Sequence, residues 1–344
     1  MKAAVFKQVG APLQVEDIAD PAPAASELVL KVGFCGVCGT DLHATREGLT
    51  TACCGQVLGH EYVGEIVEVG REAVGSWQLE DRVCAMPFIG CGKCTACAIG
   101  HFFECQNKKT TGVDVQGGFA EYVATGSRET ILLPEALQLQ TAALIEPLAV
   151  GLHAVRVANV KAGSRVLIMG AGPIGLTVAL WARFFGAREV VVSELAHARL
   201  GLAKAMGATH VVQPDTKAGA AGLLEQFTDV AGGAPETIFE CVGAPGLLQQ
   251  CIEMAPQRGK IIPVGVCEQA DSILPFFGLV KELQIQFAIA YTKDDFETCV
   301  AMLTERRINV TPMVTDVVSL DELPQAFEAL RTPSHQCKVL AKLG

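Results

Sequence analysis

In the first 150 residues the hydrophobic positions come in short runs, several of them alternating with polar ones, and Gly, Pro and charged residues separate the runs. Stretches 28–32, 62–69 and 120–125 read as strands of a mostly β region, because a period of two sends every second side chain to one buried face. Near residue 163 the texture changes. Arg165-Val166-Leu167-Ile168-Met169 is apolar enough for a strand buried on both faces, and a glycine turn and an apolar helix over about 173–185 follow it. A strand at 189–193, a helix at 196–206 and strands around Ile238, 261–264 and 285–290 continue the alternation. Strand–helix alternation with β-branched runs predicts an α/β region built on a parallel sheet covered on both faces. The tail predicts a helix at 294–305, a strand, a helix at 320–330 and a last strand at 338–343. Residues 217–222, rich in Ala and Gly, read as a small surface turn or the start of a helix. There is no internal repeat, low-complexity tract or long Gly/Ser linker.

Length fits this two-part pattern, since 344 residues exceed one ordinary core and suit two domains of roughly 150 to 200 residues. Half of the residues are hydrophobic and 19% are charged, so a large core can be buried. No apolar run reaches the roughly 18 to 20 residues that a bilayer demands. The opening Met1-Lys2-Ala3-Ala4-Val5-Phe6 turns polar too soon for a secretory signal. The expectation is a cytoplasmic protein without a membrane partner. A net charge of −10 argues against nucleic acid as a partner. An anionic ligand must then be held by local features such as backbone N–H groups and a helix N-terminus.

One such feature is present. Val166-Leu167-Ile168-Met169-Gly170-Ala171-Gly172-Pro173-Ile174-Gly175 runs from a strand through G-x-G-x-x-G into a helix. Gly170 permits the tight turn, Gly172 lets the backbone approach a pyrophosphate, and Gly175 lets helix and strand pack closely. The helix N-terminus beginning at Pro173 and Ile174 supplies free N–H groups and partial positive charge. Glu194, ending the second strand, is placed to accept hydrogen bonds from ribose hydroxyls and to repel a 2′-phosphate, which favours NAD over NADP. Capping of the next helix is the plainer role for it. Arg199 complicates the choice if it reaches a 2′-phosphate. Val264, Gly265 and Val266, after a later strand, are assigned to the cofactor as well.

The fourteen cysteines are better read as metal ligands and buried thiols than as disulfides in a chain of this size. Cys91, Cys94, Cys97 and Cys105 fall within fifteen residues, with Gly90 and Gly92 to let the loop curl. Four thiolates leave no open coordination position, so they predict a closed, structural zinc; an iron–sulfur cluster or metal-free thiols are the rivals. A second set needs assembly from separate segments. Cys38-Gly39-Thr40-Asp41-Leu42-His43, Gly59-His60-Glu61 and the lone acid Glu146 together offer a thiolate, imidazoles and carboxylates. A catalytic zinc takes about three protein ligands and one open position, which Cys38, His60 and a carboxylate can supply. Singly, His60 reads as a core histidine and Glu146 as a buried acid paired elsewhere. Asp41 is either a turn cap or a partner for the non-ligating nitrogen of His60.

With these blocks in view, the chain resembles the zinc-containing medium-chain dehydrogenase/reductase family. The resemblance is carried by Cys38 to His43, Gly59-His60-Glu61-Tyr62-Val63-Gly64, Asp81-Arg82-Val83, the four-Cys loop, Gly117-Gly118-Phe119-Ala120-Glu121-Tyr122 and the Gly170 turn. Glu146-Pro147-Leu148 and Val192-Ser193-Glu194-Leu195 look most like the polyol branch of sorbitol, butanediol and threonine dehydrogenases.

The resemblance implies a GroES-like, mostly β catalytic domain formed by residues 1–150 and completed by 292–344, with a Rossmann, doubly wound NAD-binding domain at 151–291. It implies two zinc ions per subunit, one catalytic and one structural, and a homodimer or homotetramer pairing through about 283–290. The implied activity is hydride transfer between a secondary alcohol, diol or polyol and NAD, with Thr40 and His43 as a proton path. Glu61 or Glu146 is the carboxylate ligand, the other acting through water. A zinc-free quinone or enone reductase on the same scaffold and a non-catalytic dinucleotide-binding protein are the alternative functions. The substrate pocket is expected around residues 45–52, Phe88, Phe119 and 276–280, where few charges occur, so a neutral, fairly apolar alcohol or diol fits at least as well as a sugar alcohol. Cys53 and Cys54 are expected to be buried or to line a cleft.

Overall fold

The computed structural model describes residues 1–46, 52–332 and 335–344. The chain divides into two compact units, 1–146 with 291–344, and 147–290.

In the first unit the long strand Glu27–Gly36 is the hub. It pairs antiparallel with Glu61–Val69, with Tyr122–Gly126 and with the tail strand Lys338–Lys342. Arg82–Ala85 and Thr130–Leu132 extend the sheet on one side, and Val314–Ser319 closes the other. The tail is thus woven into the sheet that the N-terminal residues begin. A smaller sheet of Gln14–Asp17, Lys2–Phe6 and Gln56–Val57 packs with it around Leu28, Leu30, Leu58, Ile66 and Phe119. Phe119, expected to line a pocket, is fully buried in this core, edge-on to Phe327.

In the second unit six strands form a wholly parallel sheet in the order His210–Val212, Glu189–Ser193, Arg165–Met169, Thr237–Glu240, Lys260–Pro263, Gln284–Ile285. Starting in the middle, stepping outward, then returning to the other side is the doubly wound topology, and it leaves a switch point beside Arg165–Met169. The helix Pro173–Phe184 packs on this strand, buried along Leu176 to Ala182. Its Trp181 donates an indole N–H to the Leu148 carbonyl at 2.9 Å.

Some elements differ from expectation. The stretch 196–206 opens as a 3-10 turn, His197–Arg199, before the helix Leu200–Ala205. Of the turn or helix start expected at 217–222, the helix start is what forms: Gly219–Ala231 is a full helix, and its apolar face, Leu223, Phe227 and Ala231, decides the matter by packing on the sheet. The last strand is only Gln284–Ile285. Beyond it the Gln286 and Ala288 N–H groups still reach Ile261 and Pro263, but Phe287 and Ile289 stay exposed because no further strand lies outside them among the described residues. The stretch Leu139–Ala158 is long and apolar enough for a membrane span, yet 72% of it is buried inside the protein.

Candidate active site and zinc-binding loop

Cys38 precedes the short helix Gly39–Ala44 and serves as its N-cap, with Asp41 as the reciprocal partner. One Asp41 oxygen accepts the Cys38 N–H at 2.9 Å, and the other accepts the Gly59 N–H at 3.1 Å. The same carboxylate lies 3.4 Å from His60 Nδ1. Asp41 is therefore both a cap and a neighbour of the imidazole, and it pins together the segments carrying Cys38 and His60. The Cys38 thiol also lies 3.7 Å from the Thr40 hydroxyl. Thr40 and His43 are half-buried on the same helix.

The ligating atoms of Cys38, His60 and Glu61 lie within 4.8 Å of one another. His60 Nδ1 is buried without a well-aligned hydrogen bond, so this donor set has the chemistry and the unsatisfied polar atom that a cation would complete. Burial disfavours the imidazolium, but Asp41 and Cys38 outweigh it and hold the His60 pKa well above its usual range. A bound cation reverses that balance, because a ligating imidazole is neutral.

Glu146 is not part of the three-residue cluster. Burial pushes its carboxyl up to about 7, His60 pulls it back, and Glu61 adds to the rise. The buried Tyr291 phenol interacts with the same carboxyl. Glu61 has a different environment. Lys338, from the tail strand, donates to both of its oxygens at 2.6 and 2.7 Å. Burial works against the Lys338 ammonium, but the charges of Glu61 and Cys38 overcome it and raise its pKa. Lys338 and Tyr291 escaped the sequence reading, because a lone lysine or tyrosine at the other end of the chain carries no local signal.

The sulfurs of Cys91, Cys94, Cys97 and Cys105 also lie within 4.8 Å of one another. Cys94 and Cys97 sulfurs are 3.5 Å apart, and the Cys91 N–H points at the Cys105 sulfur at 3.4 Å. Backbone N–H groups of Lys93 and Cys94 draw the Cys91 thiol down to about 6, whereas burial pushes Cys97 up to about 12. A closed tetrahedral zinc suits this set, since a dication compensates thiolates that cannot all ionise alone. Glu129, buried behind the loop, accepts the Gly90 N–H at 3.0 Å and was not anticipated. Of the two placements expected for Cys53 and Cys54, buried or lining a cleft, burial does not hold: both are exposed. Residues 47–51 of the anticipated pocket lie outside the described residues. Phe88 packs against Phe103 and Tyr291, and 276–280 fall in the exposed helix Pro275–Val280.

In the second unit Gly170 adopts φ +97°, a conformation a side chain rarely tolerates, and its N–H bonds to Ser193. A Cβ on Gly175 would lie 1.9 Å from the Gly170 carbonyl oxygen. Around Gly172, the N-cap of the helix, nothing lies within 4 Å of where a Cβ would be, so the backbone there is open to a ligand. Pro173 and Ile174 are half-buried at the helix start. Glu194 accepts the Ala171 N–H at 2.8 Å and the Ala196 N–H at 2.7 Å. The carboxylate is thereby fixed against the glycine turn and also caps the following segment. Arg199 ends the 3-10 turn beyond it. Val264 and Gly265 follow the strand Lys260–Pro263, and both donate N–H groups to the Glu240 carbonyl. Val266 is half exposed and Gly265 meets Gly243 backbone to backbone.

Residues 24–135 match the alcohol dehydrogenase GroES-like domain and residues 173–305 the zinc-binding dehydrogenase domain. A 2-dehydro-3-deoxy-L-galactonate 5-dehydrogenase of Pseudoalteromonas atlantica is 34% identical over 307 residues, 89% of this chain and 88% of that one. An (R,R)-butanediol dehydrogenase of Bacillus subtilis is 31% identical over 346 residues, 96% of each chain. The crystal structure of an Escherichia coli CFT073 alcohol dehydrogenase complexed with NADH superposes with a TM-score of 0.89 at 27% identity, covering 99% of both chains. The chain belongs to the zinc-containing medium-chain dehydrogenase family. Within that family it stands in the polyol branch.

Proposed function

We propose that Cys38, His60 and Glu61 hold a catalytic zinc, and that the chain oxidises a secondary alcohol, diol or polyol with NAD as its coenzyme. The single observation that supports this most is the convergence of thiolate, imidazole and carboxylate within 4.8 Å. Zinc, when bound, supplies Lewis acidity toward an alcohol oxygen, and NAD supplies the hydride acceptor.

The chain's own groups then have defined tasks. Asp41 fixes the His60 ring and the spacing of the two ligand-bearing segments. Glu146, outside the cluster, acts on the site through water. Thr40 takes the substrate's hydroxyl proton, and His43, half-buried at the end of its helix, passes it to solvent. The Gly170–Gly175 turn and the N-terminus of Pro173–Phe184 receive the pyrophosphate, with Val264 to Val266 alongside. Glu194 takes the ribose hydroxyls, and its negative charge disfavours a 2′-phosphate. Cys91, Cys94, Cys97 and Cys105 hold a structural zinc.

A panel of secondary alcohols, diols, polyols and threonine, each with NAD and with NADP and read at the nicotinamide absorbance, tests the reading. Turnover of at least one secondary alcohol with NAD is the expected result, and its absence across the panel in zinc-replete protein overturns it.

A homodimer or homotetramer is proposed through the outer edge of the parallel sheet. The N–H groups of Gln286 and Ala288 face inward, while Phe287 and Ile289 are 70% and 63% exposed. An apolar, unpaired edge of this kind is suited to a second copy. A cytoplasmic setting suits fourteen cysteines of which none is paired in a disulfide.

A further inference from the structure

Three strands meet at Glu61. It begins Glu61–Val69, stands opposite Gly36 on the hub strand, and Gly36 in turn stands opposite Leu340 on the tail strand. Lys338, two residues before Leu340, sends its ammonium to Glu61, with its remaining hydrogen bond to the Val37 carbonyl at 3.0 Å. The pair lies over a residue that has no side chain. A Cβ on Gly36 would stand 2.0 Å from Glu61 Oε2, so only glycine leaves room for the carboxylate. Both charged side chains are sealed from solvent, at 1% and 0% exposure. With no water to screen them, each depends on the other for its charge.

We propose that Lys338 is a positioning residue that shares the charge of Glu61 with the metal and so keeps this carboxylate a weak, displaceable ligand. The proposal rests on the assignment of Cys38, His60 and Glu61 as a zinc site. A dication with one thiolate and one carboxylate is neutral, and the ammonium adds a positive charge beside it. Without the ammonium, the charge of Glu61 at low dielectric is balanced by the metal alone, which draws the carboxylate more strongly. It then closes on the metal and occupies the position that a substrate hydroxyl needs.

The test uses the full chain with cobalt(II) exchanged into the Cys38–His60 site and zinc left on the four-Cys loop. Cobalt absorption in the visible reports both the donor atoms and the coordination number of the site. In Lys338→Met the bands shift as the carboxylate takes the fourth position from water, and the cobalt is held about tenfold more tightly against a competing chelator. In the Glu61→Gln background, Lys338→Met changes neither quantity, because its effect passes through the carboxylate. An unaltered spectrum and affinity in Lys338→Met, or the same change with and without the Glu61 carboxylate, overturns the proposal. Cys38→Ser separates the two levels. If that variant keeps the wild-type cobalt bands, the zinc-site assignment fails and the proposal with it. If it loses them while Lys338→Met is silent, only the role of Lys338 is wrong. Should Lys338→Met not fold, Gly36→Ala displaces the carboxylate while keeping the lysine. It is expected to change the cobalt bands, and unchanged bands overturn the proposal.

Discussion

Asp41 accepts the Gly59 backbone N–H at 3.1 Å, and this bond joins two segments that lie eighteen residues apart. Because the second carboxylate oxygen takes the Cys38 N–H, a single side chain sets the distance between thiol and imidazole. Replacing it with Ala removes that link, leaves two backbone donors without their acceptor, and frees the His60 ring. We expect Asp41→Ala to lower metal affinity by about 10- to 100-fold, measured by chelator competition. Affinity within a factor of two of the parent would show that the cap alone is what Asp41 provides.

Cys105→Ser removes one of four sulfurs that have no substitute nearby. The loop around them, 91–105, contains only short helical turns, so a bound zinc would brace it. Metal analysis should find one zinc per chain fewer than in the parent, with a lower thermal midpoint. A variant that keeps its full zinc content would exclude Cys105 from the site.

Glu194→Ala removes an acceptor held between Ala171 and Ala196 beside the glycine turn. The loss of charge-assisted bonds to ribose hydroxyls, each worth about 1.5–3 kcal/mol, should raise the NAD KM by roughly 10- to 100-fold. The preference for NAD over NADP should fall with it, since the repulsive charge is gone. Equal kinetics with both coenzymes in the parent and the variant would locate the selector elsewhere.

Gly175→Ala forces a methyl group against the Gly170 carbonyl, where it would stand 1.9 Å away. Backbone must move, at a cost of about 1–3 kcal/mol, and the turn proposed to receive the pyrophosphate moves with it. The expected signature is a lower unfolding midpoint together with weaker NADH binding by fluorescence titration. Parent-like binding would mean that the close helix–strand contact does not shape the coenzyme turn.

The parts legible in the sequence are those whose chemistry is local. A strand followed by Gly170-Ala171-Gly172 and Gly175 dictates a tight turn into a helix because Gly170 takes a φ of +97° and Gly175 must pass close to the Gly170 carbonyl, both demands that arise within six residues. Cys91 to Cys105 announce a closed site because the ligands are short-spaced and alike. Cys38 and His60 were readable for the same reason, each sitting in a compact polar block. Exposure was harder to read: Cys53 and Cys54 lie outside, and Phe119 lies in the core, because burial depends on what packs from distant strands.

By itself, then, the sequence determined the two structural classes, the glycine turn, the four-thiol loop and the candidate reactive groups, all through periodicity and short-range spacing. Only the tertiary structure brought Glu61 within 4.8 Å of Cys38 and His60 and paired it with Lys338. Glu61 and Lys338 are 277 residues apart, and their pairing exists because the tail strand lies beside Gly36 in the same sheet. A contact made by sheet register between distant segments leaves no pattern along the chain, since neither residue's neighbours need differ for it to form.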